Sequence, residues 1–558
     1  MPLRTGGEIL VASLVAQGAT LAFGVPGESY LAVLDALVDV QDRLRFIICR
    51  QEGGAAFAAE AYGKLTGRPG IAMVTRGPGA SNAAIGIHTA AQDSTPMIVL
   101  VGQVGGDFVD REAFQEIDYR RMYGSIAKWS AQIDRAERIP EYVAQAYRTV
   151  MSGRPGPVVL ALPEDMLTTR ADCATVARIE PTAASIDPRG LAGVRDLLAH
   201  AREPFVIVGG SRWDADACRL LREFIARWNL PVGCAFRHQD LFDNRDPHYA
   251  GDVGIGINPK LAARVRNADV LLVIGERLGE MTTSAYTLLD APTPAQALIH
   301  VHPGPEELGK VYQPLHAICA TPTGFLEAMA TLDAPAAPAW SASAAAAHAD
   351  YDAWRAPRPV PGDVDLWRIA QWLDAELPDD AIVTNGAGNY ATWMHRLFRY
   401  RGFRTQLAPY VGAMGYGVPS AIAAKLVHPD RVVVSWNGDG CFQMNGQELA
   451  TAMQYDLGIV FVVIDNGMYG TIRMHQERNY PARVSGTDII NPDFAALARA
   501  YGAYAETVTA TSQFAPAFMR ALAAGKAALL HVKVDRQALT MNASLDALRA
   551  QGETRHRS

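Results

Sequence analysis

The sequence predicts an α/β protein of three consecutive parallel-sheet domains. Three observations carry this. Short apolar runs, of the kind that form fully buried strands, alternate with Ala-rich helical stretches. A polar, Pro-containing link at 171–190 and a low-complexity stretch at 334–349 (APAAPAWSASAAAAHA) divide the chain into three such blocks. One stretch, 431–466, reads as strand, turn, helix and strand, the unit of a right-handed crossover between parallel strands.

The first block covers 1–170, with strands expected at 21–25, 46–49, 71–75, 97–101 and 158–162. The second covers 186–333, with strands at 205–209, 231–236, 270–275 and 297–302; its Gly209-Gly210 pair does not make a GxGxxG fingerprint. Residues 334–362 read as a surface linker. The third block covers 363–540, with strands at 381–384, 432–436, 459–464 and 529–534. Residues 541–558 are polar and read as a flexible tail or a lid.

Composition narrows the class. With 49% hydrophobic and 20% charged residues the chain is ordinarily globular. A net charge of −7 without a long basic run argues against nucleic acid as a partner. The six cysteines (49, 173, 218, 234, 319 and 441) are far apart and make no CxxC, the usage of reduced thiols in a cytoplasmic protein. No signal peptide is apparent, and the longest uncharged stretch, 407–424, contains Gly and Pro and reads as a buried loop and packed helix, against any membrane span.

The 431–466 stretch holds the first chemistry. The strand at 432–436 stops at the turn Asn437-Gly438-Asp439-Gly440, a helix is expected from Phe442 to about Tyr455, and the strand at 459–464 ends in Asp465-Asn466. Ligands of parallel sheets bind beyond the carboxyl ends of the strands, so Asp439 and Asn466 can converge there. A carboxylate and an amide oxygen suit Mg²⁺. Gly438 and Gly440 allow backbone to approach a phosphate. Gly-Asp-Gly alone is a common turn, but the 25 residues 441–465 between Gly440 and Asn466 place both groups at strand ends. This resembles the cofactor motif of the thiamine-diphosphate enzymes, in which GDG is followed some two dozen residues later by paired Asn. Here Asp465 replaces the first Asn, and Asn466 stands at the metal-holding position.

The second signal is Arg50-Gln51-Glu52-Gly53-Gly54-Ala55-Ala56, after the strand at 46–49. Glu52 alone reads as a carboxylate at a helix N-terminus, but the Gly/Ala-only segment behind it implies that something packs on the backbone. The loops Gly24-Val25-Pro26-Gly27-Glu28 and Thr75 to Asn82 also follow strands and, taken alone, are tight turns. Together with these, the three blocks resemble the acetohydroxyacid (acetolactate) synthase and pyruvate oxidase group over nearly the whole chain. The resemblance implies three doubly wound domains, binding the pyrimidine, forming the centre and binding the diphosphate. It makes Glu52 the acid–base residue that drives aminopyrimidine tautomerisation, with Pro26 and Asn82 lining the cofactor or substrate side.

Further positions follow from the same resemblance. Gln103, Arg111 to Glu116 and Lys128 match a GQ…AFQE…K run, making Gln103, Phe114, Gln115 and Lys128 candidate substrate-pocket residues, with Gln103 and Lys128 also candidate catalytic groups; Glu112 and Glu116 read first as a polar helix face. Gly388-Asn389-Tyr390 matches the diphosphate loop, though the synthases more often carry Gln-His there. Met414, in Gly-Ala-Met-Gly, would bend the cofactor beneath it; the plain alternative is a core filler. Gly440 and Cys441, a small side chain behind the turn, join the cofactor set. So do Tyr469, Gly470 and Thr471, which would wrap the diphosphate, and Met468, whose carbonyl would be a third metal ligand beside Asp439 and Asn466. Ile472 and His475 fall on the substrate side.

Departures matter too. His475 stands where the branched-chain synthases have an acceptor-selecting Trp, and proton shuttle, acceptor ligand and solvated helix residue remain open for it. The His-His pair of simple decarboxylases is not visible. FAD remains possible, because the family's two flavin loops read here in weakened form as 251–257 and 278–283. The expected activity is thiamine-diphosphate- and Mg²⁺-dependent decarboxylation of a 2-keto acid, pyruvate by default, with carboligation to a carbonyl acceptor. A flavin-dependent oxidase and a lyase or hydrolase of bulkier keto acids or diketones are the rivals; a non-catalytic binding protein fits worst. A homodimer or homotetramer with sites between subunits is implied by the resemblance.

Overall fold

The computed structural model describes residues 3–182, 184–336 and 338–557. Its apolar runs do become parallel strands, and most are buried along their whole length, as expected when helices cover both faces of a sheet. Three six-stranded sheets result. The first runs, edge to edge, through Arg45–Ile48, Leu21–Gly24, Gly70–Val74, Met97–Gln103, Pro157–Pro163 and Trp129–Gln132. The third runs through Gln406–Leu407, Ile382–Asn385, Val433–Gly438, Val460–Asp465, Ala528–Lys533 and Tyr504–Val508. Both take the strands in the same chain order: second, first, third, fourth, sixth, fifth. The central sheet differs, with Tyr249–Val253, Val232–Ala235 and Phe205–Val208 followed by Val270–Ile274, Ala297–His302 and His316–Cys319.

Several expectations are corrected. The five additional sheet strands (Trp129–Gln132, Tyr249–Val253, His316–Cys319, Gln406–Leu407 and Tyr504–Val508) all lie at sheet edges, and each carries polar residues that interrupt the apolar run. The helix expected from Phe442 to Tyr455 is broken. Asp439–Asn445 and Leu449–Gln454 are separated by a 3-10 turn at Gly446–Glu448, where the Asn445 amide turns aside to donate to Gly415 O at 3.0 Å. The 334–362 segment is no bare linker. Ser343–Trp354 is a helix that buries Ala344, Ala347 and Tyr351, the last edge-to-face with Tyr249 at 4.9 Å, and Trp340 donates its indole N–H to Trp228 O at 3.1 Å. Ala337 lies outside the described residues. The C-terminal stretch is a docked helix, Leu545–Arg557, not a free tail: Leu545 and Leu548 pack with Met468 and Leu539, and Arg549 grips buried Glu477 at 2.8 and 2.9 Å. Residues 110–116 form a loop with left-handed backbone at Asp110, Glu112 and Gln115, not a helix face.

The first and third domains share a core. The helix Glu52–Thr66 lies on Gly417–Val427, with Phe57 edge-to-face on Tyr416 at 5.4 Å. The Glu448 carboxylate of the third domain caps the first, accepting the Arg50 and Gln51 N–H groups at 2.9 and 3.0 Å. A Cβ at Gly54 would sit 2.6 Å from Glu448 Oε1. The Gly/Ala run behind Glu52 is therefore explained by a neighbouring domain.

A buried ionic network seals the same interface. Lys64 Nζ contacts Asp93 at 2.5 Å, Glu60 at 3.1 Å and Ala408 O at 3.0 Å. Asp93 also accepts the N–H groups of Tyr410 and Val411 at 2.7 and 2.9 Å, and Tyr416 O–H donates to Glu60 at 2.5 Å. Lys64→Met strands two buried carboxylates and is expected to cost about 3 kcal/mol, read as a lowered denaturation midpoint. An unchanged midpoint would show that the network adds nothing.

Candidate active site

In the third sheet, strand order reverses between Ile382–Asn385 and Val433–Gly438, and a crevice opens beyond their carboxyl ends. A cavity of about 250 Å³ lies there. Its walls are the loop 387–390 after the first of these strands, 438–441 after the second, and 466–472 after the next strand, with Met414 below. Gly388, Asn389, Tyr390, Met414, Asp439, Gly440, Cys441, Asn466, Met468, Tyr469, Gly470, Thr471 and Ile472 all line it. Three segments distant in sequence thus meet in one cavity. Trp393, Leu366, Val534, Ala538 and Leu539 complete it. Sequence reasoning missed these, because they are apolar residues with no motif; only the strand end at Val534 carried a signal.

The wall suits a diphosphate. The helix Gly470–Asn479 begins in the cavity and offers its first N–H groups there. Thr471 ties two walls together, accepting Asn389 N–H at 3.0 Å and donating to Asn389 Oδ1 at 3.0 Å. Gly440 leaves room for Tyr469, whose ring would sit 2.7 Å from a Cβ there. The Cys441 thiol is buried and pushed up by burial, and accepts from Tyr390 O–H at 3.0 Å and Gly415 N–H at 3.2 Å, a structural sulfur.

Asp439 brings the carboxylate. Its Oδ1 accepts Gly440 N–H at 2.8 Å, and its Oδ2 accepts Gly467 N–H at 2.9 Å and the Asn491 amide at 2.8 Å. Burial raises its pKa, and the neighbouring Asp465 charge adds to this. For Asp465 burial acts the same way, but hydrogen bonds from His531 and Asn491 outweigh it and hold the carboxyl low. Gly467, with φ +65°, makes the left-handed turn that brings Met468 back beside Asn466, whose Oδ1 accepts Met468 N–H at 3.2 Å. A carboxylate, an amide oxygen and a main-chain carbonyl are hard donors of the kind Mg²⁺ takes.

The first-domain residues are elsewhere. Glu52 accepts the Asn82 amide at 2.9 Å; Pro26 lies on a loop beyond the first sheet, whose strand order also reverses there, whereas Asn82 sits in the first turns of the helix Pro78–Asp93, so the expected loop 75–82 is helical from Pro78 onward. None of the three lines the cavity of Asp439. Five other candidate residues lie outside this cavity in the single chain. Gln103 is buried and occupied, donating to Ile117 O and accepting Val104 N–H, both at 2.9 Å. Lys128 spends its ammonium on Ser152 O and Arg154 O at 2.7 and 2.8 Å. Gln115 packs on Gly77, while Phe114 is 72% exposed. His475 is exposed one turn beyond Ile472 and outside the cavity.

The central sheet reverses order between Phe205–Val208 and Val270–Ile274. Beyond it lie two cavities of about 380 and 430 Å³, both lined by Arg237 and Tyr410. Gly210, Ser211 and Arg212 line the first; Gly251, Asp252, Ile255, Gly256 and Met281 line the second, which also touches Gly388 and Asn389. Arg237 Nε, Ser211 Oγ and Asp252 Oδ1 are buried without a protein partner. Burial pushes Asp252 up to about 7, with Arg237 opposing. The folded chain then holds this proton to higher pH than the unfolded chain, so stability falls as pH rises from the ordinary carboxylate range to about 7. Asp252→Asn should therefore raise the melting temperature more at pH 8 than at pH 4; an equal shift at both would refute the burial argument.

Comparison with known proteins agrees with the site. The chain matches the thiamine pyrophosphate enzyme family models for the N-terminal TPP binding domain over residues 4–122, the central domain over 191–329 and the C-terminal TPP binding domain over 386–532. It is 31% identical to the acetolactate synthase isozyme 2 large subunit of Escherichia coli, over 95% of both chains. It is 31% identical to the acetolactate synthase large subunit of Corynebacterium glutamicum, over 93% of this chain and 84% of that one. It is 30% identical to a probable acetolactate synthase large subunit of Methanocaldococcus jannaschii, over 95% and 92%. The fold and cavity are those of a thiamine-diphosphate-dependent enzyme. Within that class the chain belongs to the acetolactate synthase large-subunit family.

Proposed function

We propose that the protein decarboxylates a 2-keto acid, pyruvate first, and joins the retained acyl carbon to a carbonyl acceptor, giving acetolactate when the acceptor is a second pyruvate. The convergence of Asp439, Asn466 and Met468 in one cavity with the 387–390 and 470–472 segments carries this reading. Thiamine diphosphate, when bound, supplies the nucleophilic carbon and the electron sink for loss of CO₂. Asp439, Asn466 and the Met468 carbonyl would hold Mg²⁺, and the N–H groups at the start of Gly470–Asn479 would hold the diphosphate. Met414 supports the cofactor from below. Glu52, whose carboxylate is oriented by the Asn82 amide, would be the group that holds and releases a proton beside the cofactor's pyrimidine ring.

Glu52 and Asp439 belong to one reaction but sit apart in one chain, which supports a homodimer, or a tetramer of two dimers, in which one protomer's first domain faces the third domain of its partner. Gln103, Phe114, Gln115 and Lys128 then act on the substrate side only through the assembled site, and Ile472 and His475 line the acceptor side from the exposed face of their helix. FAD is proposed for the central crevice. Its two cavities share Arg237 and Tyr410 in their walls, Gly210 has the left-handed backbone (φ +71°) of a close approach, and the Ser211 Oγ and Arg237 Nε, without a partner among the described residues, suit an anionic dinucleotide. No step depends on it. Retention of yellow flavin after reconstitution and gel filtration tests it. Among the described residues no helix is long and apolar enough to cross a membrane, and the six free thiols support a cytoplasmic location.

The deciding experiment is product analysis with thiamine diphosphate, Mg²⁺ and pyruvate, with and without a panel of aldehydes and keto acids. Acetolactate with CO₂ supports the reading. Cofactor binding without pyruvate turnover sinks pyruvate as the donor.

A further inference from the structure

Behind the proposed metal ligands lies a set of polar groups that no motif announced. Asn491 Nδ2 is 2.8 Å from Asp439 Oδ2 and 2.6 Å from Asp465 Oδ1, so one amide group, with its two hydrogens, serves two carboxylates. Its orientation is fixed from behind, because Gln443 Nε2 donates to Asn491 Oδ1 at 2.8 Å. The reverse orientation would set an oxygen against both carboxylates. The Gly467 N–H spans the same pair, at 2.9 Å to Asp439 Oδ2 and 3.1 Å to Asp465 Oδ1. The second Asp465 oxygen is engaged by His531 Nε2 at 2.8 Å.

These contacts divide the labour between the two acids. Both Asp465 oxygens already face protein donors. Asp439 Oδ1 meets the adjacent Gly440 N–H and keeps lone pairs for a cation. We propose that Asn491 is a positioning residue for the metal: its amide clamps the Asp439 and Asp465 carboxylates side by side, so that Asp439 meets a divalent cation already oriented while Asp465 stays outside the coordination sphere. This rests on the reading of Asp439 as an Mg²⁺ ligand. Without the clamp, two adjacent carboxylates repel and turn away from each other, and ordering them is charged against metal binding. Asp465 at the position of the family's first Asn is thus tolerated because a neutral two-hydrogen donor stands opposite it.

The clamp is held by the backbone. Residues 487–489 run beside the metal loop, with Tyr469 N–H donating to Thr487 O at 2.9 Å and Ile489 N–H to Gly467 O at 3.1 Å. Arg473 fastens the strap through Thr487 Oγ1 at 2.9 Å and Asp488 at 2.7 Å. Asn491 therefore approaches the two acids from a segment anchored on the same loop that would carry the Met468 ligand.

The test is Mg²⁺ titration of the full-length protein at saturating thiamine diphosphate, followed by tryptophan fluorescence and by equilibrium dialysis of the metal. Asn491→Leu, and Asn491→Gln as a second variant that keeps the amide but displaces it, should each weaken Mg²⁺ about 10-fold. In an Asp465→Asn background, where no like-charge pair remains, the Leu substitution should cost much less. Mg²⁺ affinities within about two-fold of wild type in both variants, or an equal loss in the Asn background, overturn the proposal. Asp439→Ala separates the two readings. If it loses Mg²⁺ and the Asn491 variants do not, the clamp alone fails; if it keeps Mg²⁺, the metal assignment fails and takes the clamp with it.

Discussion

Glu52→Gln is expected to lower pyruvate turnover by about 100- to 10,000-fold while leaving thiamine diphosphate affinity nearly unchanged. The substitution keeps the length of the side chain and an oxygen to accept the Asn82 amide, which lies 2.9 Å from the carboxylate. It removes the proton that the carboxyl would give and take. Nothing about the fold should respond, since Glu52 opens its helix while Gln51 caps it, its Oε1 accepting Gly54 N–H at 3.0 Å. Steady-state turnover and a cofactor titration on the same preparation check both halves. Full activity would remove Glu52 from the mechanism, and lost affinity would make it a binding residue instead.

Asp439→Ala should weaken Mg²⁺-dependent cofactor binding by at least about 100-fold. It deletes the one carboxylate among the three proposed ligands. It also leaves Gly440 N–H, Gly467 N–H and the Asn491 amide without the acceptor they now share at 2.8–2.9 Å. Loop geometry and metal charge balance are lost together. Fluorescence titration with thiamine diphosphate at fixed Mg²⁺ reads the effect. Unchanged affinity would refute the metal assignment, whatever the activity.

The sequence was legible where covalent spacing and burial coincide. Central strands such as Val460–Asp465 are buried nearly throughout and appear as unbroken apolar text, and the turns that follow them supply Asp439 and Asn466. Edge strands such as Tyr504–Val508 and His316–Cys319 escape notice for the converse reason: they are only partly buried, and polar residues break their apolar runs. The Gly-Gly-Ala-Ala run after Glu52 was correctly read as a contact surface, but nothing in it could say that the contact would be Glu448, some 400 residues away. Asn491 was silent as well. Its importance comes from reaching two carboxylates brought together by different strands, which is a property of the folded backbone alone. Gln103 and Lys128 show what matching text leaves out, since it says nothing of the main-chain groups of their own domain that engage them.

The single apolar cluster that runs from Phe57 and Tyr62 to Tyr416, Phe442 and Phe461 has a thermodynamic meaning. Unfolding either the first or the third domain alone would expose half of a core belonging to both, so the two melt as one cooperative unit despite the central domain between them in sequence. The central domain keeps two clusters of its own and is joined to the third by buried hydrogen bonds, among them Gln239 N–H to Gln406 Oε1 at 2.8 Å and Tyr400 N–H to Asn244 Oδ1 at 3.0 Å. Cooperativity in this chain therefore follows spatial adjacency, not order along the polypeptide.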